Sequence, residues 1–286
     1  MPSDSTALQV RTDSLCADYF VPSSGSAPKG AVVVLGGSEG GLGVARGLSI
    51  ALAKEGFHAL AVAYFGEVGL PPHLENVPVE AVGRGAGWLH QRLGFEKRIG
   101  LVGVSKGGEL ALLAASFDDR FKAIVAGVPS NVVWQGINPG SRPSTSSWTV
   151  DGVPLPFAPF AAPDGFISIF RLYEDGLRVA PLEAEIEVEK IAGPVMLVSA
   201  TDDRLWPSAE MATRVAQRLR AHRFSREVLN LVYPDAGHAV FGVPVSGETP
   251  AMRARLAAVG GACDAVIQAR REAWPKMVEF LETALA

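Results

Sequence analysis

The sequence predicts an α/β fold: a mostly parallel, eight-stranded sheet flanked by helices. Three observations carry this. Short β-branched and apolar runs, such as Ala31 to Leu35 and Ile99 to Val104, recur at the length of buried strands. Segments of helical period alternate with them, which calls for parallel strands covered on both faces. Finally, Ser105 stands between glycines at −2 and +2 in Gly103-Val104-Ser105-Lys106-Gly107, where one strand passes directly into a helix. A strand–turn–helix junction this tight leaves no room for side chains at the two glycines. It lifts the serine hydroxyl above the sheet edge.

Taken in order, Leu8 to Arg11 and Leu15 to Val21 read as a hairpin, with a polar turn over Pro22 to Lys29. Ala31 to Leu35 is a buried strand, Val44 to Glu55 a helix closed by Gly56, and His58 to Ala63 the next strand. Glu75 to Leu93 reads as a helix that Gly83, Gly85 and Gly87 weaken. Ile99 to Val104, the Ser105 helix and a strand over Lys122 to Val128 follow. From Pro129 to about Ala180 the pattern breaks down, with seven prolines between Pro129 and Pro163 and scattered aromatic bulk. Order resumes with a strand at Val195 to Ala200, a helix at Ser208 to Arg220 and a strand at Glu227 to Tyr233. Ala239 to Ala262 reads as irregular, and a last helix runs from about Ala265 to Leu285. With the serine turn after the fifth of eight strands, this is the α/β-hydrolase plan. It predicts one domain over residues 1–286, with a lid-like insertion at about 130–190 after the sixth strand.

Composition narrows the function classes. A net charge of −4 without a basic cluster argues against nucleic acid or an anionic membrane as the main partner. Cys16 and Cys263 give neither zinc spacing nor a disulfide framework, so no metal is expected. The first residues have no apolar leader pattern and no run reaches the ~18 residues of a membrane span, so the expected location is cytoplasmic.

A serine hydroxyl needs a base, and the base needs an orienting acid. In this plan they follow in the order serine, acid, histidine. Of five histidines, His238 lies beyond the last strand in Tyr233-Pro-Asp-Ala-Gly-His, where a loop can overhang the sheet edge. The acid belongs after Val195 to Ala200, where Asp202 and Asp203 compete; the spacing to Ala200 and Pro207 favours Asp203. Asp202 then bonds its own loop backbone. Ser38 lies in a second G-x-S-x-G match, GGSEGGLG, but in a longer loop better suited to backbone donors than to a strained nucleophile. An oxyanion hole is expected from the Lys106 N–H and the Ser38 N–H, with Gly37 the alternative to Ser38. Lys106 and Glu109 either touch substrate or form an ion pair across the first helical turn. Trp134 and Trp206 are candidate pocket residues, Trp206 equally a core residue. Trp134 to Phe170 is the candidate lid and acyl pocket.

Five segments together resemble one family. They are GGSEGGL, GLVGVSKGGELAL, VEKIAGPVMLVSATDDRLWPS, YPDAGHAV and REAWPKMVEFL. The family is the acyl-CoA thioester hydrolase and bile acid-CoA:amino acid N-acyltransferase group, through its C-terminal catalytic domain. The likeness runs from about Lys29 to the end. It implies that Ser105, Asp203 and His238 form a triad and that acyl-CoA thioesters are the substrate class. Longer members of that group carry a β-sandwich ahead of this domain, where this chain has 28 residues before Lys29. The group's transferase branch carries cysteine at the elbow, so Ser105 implies hydrolysis. The expectation is a serine hydrolase of a small acyl thioester or ester with no cofactor, its oligomeric state open. The alternatives are a carboxylesterase or lactonase of dienelactone-hydrolase type with the same triad, or a silent scaffold of this fold.

Overall fold

In the computed structural model, residues 7–23, 27–94, 96, 98–141, 144–246 and 249–286 are described. Residues 24–26 of the expected polar turn, 1–6 of the segment read for a leader, 142–143 of the insertion and 247–248 of the second irregular stretch lie outside them.

The chain forms β1 (Leu8–Thr12), β2 (Leu15–Phe20), β3 (Gly30–Leu35), α1 (Gly43–Lys54), β4 (Phe57–Ala63), β5 (Val77–Pro78), α2 (Glu80–Leu93), β6 (Ile99–Val104) and α3 (Lys106–Phe117). There follow β7 (Phe121–Gly127), β8 (Trp148–Val150), β9 (Val153–Pro154), α4 (Ile169–Arg178), β10 (Val195–Ala200), α5 (Ser208–Ala221), β11 (Val228–Tyr233), α6 (Pro250–Ala257) and α7 (Cys263–Leu285). Eight strands make one sheet in the order β1-β2-β4-β3-β6-β7-β10-β11. β1–β2 and β2–β4 are antiparallel, and every other neighbour pair is parallel. The eight runs expected to be strands are these eight strands.

Period-two alternation explains the layers. In β3, Ala31, Val33 and Leu35 face the core shared with α2, α3 and α5, while Val32 and Val34 face the core shared with α1 and α7. Both faces are buried, which is why the central strands read as unbroken apolar runs. All of β2 is buried, although it sits one place from the sheet edge.

Four expectations are corrected. The helix expected from Glu75 begins at Glu80, because Val77–Pro78 pairs in parallel with Trp148–Thr149 of the insertion. β7 stops at Gly127: Val128 turns to φ +40° and gives its N–H to Val198 O at 2.6 Å. The insertion is not irregular throughout. It carries β8, β9 and α4, and its Trp134 and Tyr173 form a small core with Trp206 and Met211 beyond it. The second irregular stretch holds α6, with Thr249 accepting from Met252 N–H and proline at the first helical position.

Candidate active site

β6 ends and α3 begins at Ser105, whose φ of 58° and ψ of −123° are sparsely populated for any residue but glycine. Holding a non-glycine residue there costs about 1–3 kcal/mol, which the surrounding structure must offset. Ser105 N–H donates to Gly127 O at 2.9 Å, and its carbonyl accepts from Glu109 N–H at 3.0 Å. The two flanking glycines are obligatory. A Cβ on Gly103 would lie 1.9 Å from Gly107 O, and one on Gly107 would lie 2.0 Å from Gly36 O. Both collisions are with backbone, which cannot swing aside.

Ser105, His238 and Asp203 meet in space. His238 Nε2 is 3.0 Å from Ser105 Oγ, and His238 Nδ1 is 2.8 Å from Asp203 Oδ2. The other oxygen of Asp203 accepts from the N–H groups of Leu205 (2.9 Å) and Trp206 (3.2 Å), so its carboxylate is held from both ends. Asp202 has a different task. It pairs with the Arg204 side chain of its own loop and accepts from Gly261 N–H of a distant loop at 3.2 Å, in place of the expected bond to its own loop backbone.

That distant loop is the strap of the site. Val259 O accepts from both Arg204 N–H (3.1 Å) and His238 N–H (3.2 Å), tying the acid loop to the histidine loop. A Cβ on Gly237 would lie 1.9 Å from Gly260 O, so the fit there is backbone on backbone. Sequence reasoning missed the strap because it lies in the stretch after Ala239 that showed no period. The Gly260-Gly261 pair was its one signal.

The loop after β3 rests on the elbow: a Cβ on Gly37 would lie 3.2 Å from Ser105 Cβ. Gly37 N–H donates to the Glu39 carboxylate at 2.9 Å and is therefore occupied. Of the two N–H groups weighed for this loop, Ser38 is the one with no acceptor among the described residues. Tyr64, buried just beyond β4, shares its one hydroxyl proton between Gly36 O (2.8 Å) and Gly37 O (2.9 Å). Nothing in the linear sequence pointed to it.

Lys106 and Glu109 form an ion pair at 2.6 Å with side chains 1% and 0% exposed. They are closed off from substrate. Glu109 also accepts from Trp148 Nε1 (2.6 Å) and Trp134 N–H (3.1 Å), while Lys106 donates to Ser147 Oγ at 3.1 Å and lies over the Trp148 ring. Burial pushes the Lys106 ammonium below its usual range, with Glu109 opposing. The pair bolts the base of the insertion to the elbow helix.

Trp134 is not a pocket wall. It is fully buried, its ring against Phe160 and Tyr173 and its indole N–H on Ser130 Oγ. Trp206 is also buried, but its ring meets His238 edge-on at 5.8 Å and so backs that imidazole. A cavity of about 770 Å³ opens between Leu15, Trp88, Phe117 and Arg120. It lies at the far end of α3, roughly 16 Å along the helix from Ser105, and is not part of this site. Among the described residues no cluster of three metal-ligating side chains occurs, and no helix is long and apolar enough to cross a membrane.

A family model described as BAAT / Acyl-CoA thioester hydrolase C terminal matches residues 80–286. Acyl-coenzyme A thioesterase 6 of Homo sapiens is 27% identical over 293 residues, covering 96% of this chain and 65% of that protein. Acyl-coenzyme A thioesterase 2, mitochondrial, of Mus musculus is 28% identical, covering 97% of this chain and 60% of that protein. The chain thus spans under two thirds of the length of these relatives. Among solved structures, a Klebsiella pneumoniae protein described as a dienelactone hydrolase superposes with a TM-score of 0.60 at 19% identity, covering 93% of this chain and 92% of the other. The fold is that of the α/β hydrolases.

Proposed function

The chain belongs to the BAAT/acyl-CoA thioester hydrolase C-terminal family, and we propose that it is a serine hydrolase cleaving an acyl thioester, of the acyl-CoA class, through an acyl-enzyme. The observation that carries this reading is the continuous line from Ser105 Oγ to His238 Nε2 at 3.0 Å and from Nδ1 to Asp203 at 2.8 Å.

In the first half-reaction His238 Nε2 takes the Ser105 proton while Oγ attacks the acyl carbonyl. Asp203 accepts from Nδ1–H, keeping the second nitrogen free as base and stabilising the imidazolium that forms. Charge moves to the carbonyl oxygen, which the N–H groups of Lys106 and Ser38 receive; one such donor contributes about 10²–10³ in kcat. Collapse expels the thiolate, which leaves as thiol with the proton from His238. Water then enters and gives a proton to His238, and its oxygen attacks the ester carbonyl to release the free acid and restore Ser105. Every proton and electron pair is carried by side chains, substrate and water.

The chain acts as one domain, with the 130–190 insertion as the acyl-side lid. Its base is pinned through Glu109, while Phe166 and Ile167 stand exposed ahead of α4. A serine oxyester lacks the bias toward amines of a thioester intermediate, so hydrolysis prevails over amine transfer. The substrate is a small molecule met without nucleic acid, in the cytoplasm.

The test is a panel of acyl-CoAs of graded chain length against p-nitrophenyl and lactone esters, with Ser105→Ala as control. Highest kcat/KM on an acyl-CoA is expected. Preference for simple esters or lactones would replace the thioesterase reading by a carboxylesterase one, and no turnover of any would leave a binding scaffold.

A further inference from the structure

We infer that Tyr64 is the positioning residue of the oxyanion hole: its hydroxyl grips the Gly37 carbonyl and so aims the Ser38 N–H at the substrate oxygen. The inference rests on the reading of Ser38 N–H as an oxyanion donor to an acyl group on Ser105.

The argument begins with the peptide unit. In a trans peptide the C=O of one residue and the N–H of the next lie in one plane and point in opposite directions. Fixing Gly37 C=O therefore fixes Ser38 N–H. The preceding peptide is held at both ends, its Gly36 carbonyl by Tyr64 Oη at 2.8 Å and its Gly37 N–H by Glu39 at 2.9 Å. The Gly37–Ser38 peptide has one anchor among the described residues, the Tyr64 hydroxyl at 2.9 Å, whose single proton is shared with Gly36 O in a three-centre bond. Glycine on its N-terminal side leaves that plane free to rotate. A rotated peptide would turn a carbonyl oxygen toward the developing oxyanion, replacing attraction by repulsion.

Tyr64 is built to hold its place. Tyr64 is 3% exposed, its ring packed on Phe65 at 5.3 Å and on Trp148 at 5.6 Å, and Trp148 is itself fastened to Glu109. Burial, then the charges of Glu39 and Glu109, push the phenol well above its usual range, so it stays a donor.

Tyr64→Phe keeps the ring and removes only the hydroxyl. We expect kcat to fall about 10- to 10²-fold, less than full loss of a donor, with KM within about twofold. The inhibition constant of an alkyl boronic acid, which forms a tetrahedral adduct on the serine, should rise in parallel. In a Ser38→Pro background, which lacks the N–H in question, Tyr64→Phe should cost little more. An undiminished loss in that background, or wild-type kcat and boronate affinity in Tyr64→Phe, overturns the inference. Should Tyr64→Phe not fold, ring-fluorinated tyrosines at 64 keep the hydroxyl and alter its donor strength. Under the inference kcat follows the number of fluorines at constant KM; a kcat independent of them contradicts it. Ser105→Ala keeps the two claims apart, since its retained activity would sink the hydrolase reading itself.

Discussion

Two loops in this chain carry the same five-residue pattern, and the structure makes different objects of them. In Gly103-Val104-Ser105-Lys106-Gly107 both glycines face backbone at about half of contact distance, and the serine is forced to positive φ. In Gly36-Gly37-Ser38-Glu39-Gly40, a Cβ on the first glycine would meet the Glu39 carboxylate at 2.7 Å, and one on the last the Phe65 ring at 2.8 Å. Ser38 itself is exposed and carries no such strain. One loop presents a serine hydroxyl, our proposed nucleophile, that the backbone cannot relax away from. The other presents a backbone N–H that a tyrosine holds in place. The spacing of the glycines is shared; what they approach decides the function.

The sharpest way to break this contrast is to exchange the fates of the two serines. Ser105→Ala should lower kcat by about 10⁴- to 10⁶-fold in a folded protein, whereas Ser38→Ala, whose N–H survives, should stay within a few-fold; steady-state kinetics decides. Next come the two aspartates. Asp203→Asn should cost up to about 10⁴ in kcat, because an amide in that place favours the wrong histidine tautomer. Asp202→Asn should act mainly on stability, through Arg204 and Gly261, and kcat set beside melting temperature separates the two. The glycines form a third pair. Gly107→Ala drives a methyl into Gly36 O and should destabilise by more than about 4 kcal/mol, while Gly36→Ala displaces a side chain that can swing and should cost much less in denaturant titrations. Glu109→Ala leaves Lys106, Trp148 Nε1 and Trp134 N–H buried without their acceptor and should cost at least about 3–5 kcal/mol; adding Lys106→Met should recover only the share due to the lone ammonium. The smallest effect is in product partition: Ser105→Cys, given an acyl-CoA with glycine, should raise the share of N-acyl amino acid measured by mass spectrometry.

Much of this was legible in the chain because the demands are local. The elbow needs only glycines at fixed offsets, and buried parallel strands declare themselves as short β-branched runs. Chain order pointed to His238 and left Asp202 and Asp203 competing, and the spacing to Ala200 and Pro207 favoured Asp203, whose carboxylate lies 2.8 Å from His238 Nδ1. Long-range partners left no local trace. Glu109 at three positions from Lys106 announced an ion pair, but nothing announced Trp134 and Trp148 as its other partners, 25 and 39 residues away. The two Val-Pro strands, β5 ahead of α2 and β9 in the insertion, are two residues each and exist only through pairing with β8. Ser168, which caps α4, and the Thr249-Pro250 start of α6 are local signals in stretches whose apolar pattern shows no period. Trp134 was read by its position in the insertion, and its burial among aromatic rings overrode that reading.

The central claim is that the strained serine, and not its unstrained counterpart, carries the acyl group. Digestion with trypsin separates them, since Ser105 falls on the peptide Ile99 to Lys106 and Ser38 on Gly30 to Arg46. Acid-quenching the protein during turnover of an acyl-CoA, or after reaction with a fluorophosphonate, and mapping the adduct by mass spectrometry tests the claim directly. The account predicts the added mass on Ile99 to Lys106, at Ser105, and its loss in Ser105→Ala. An adduct on Gly30 to Arg46, or steady turnover by Ser105→Ala, would contradict it.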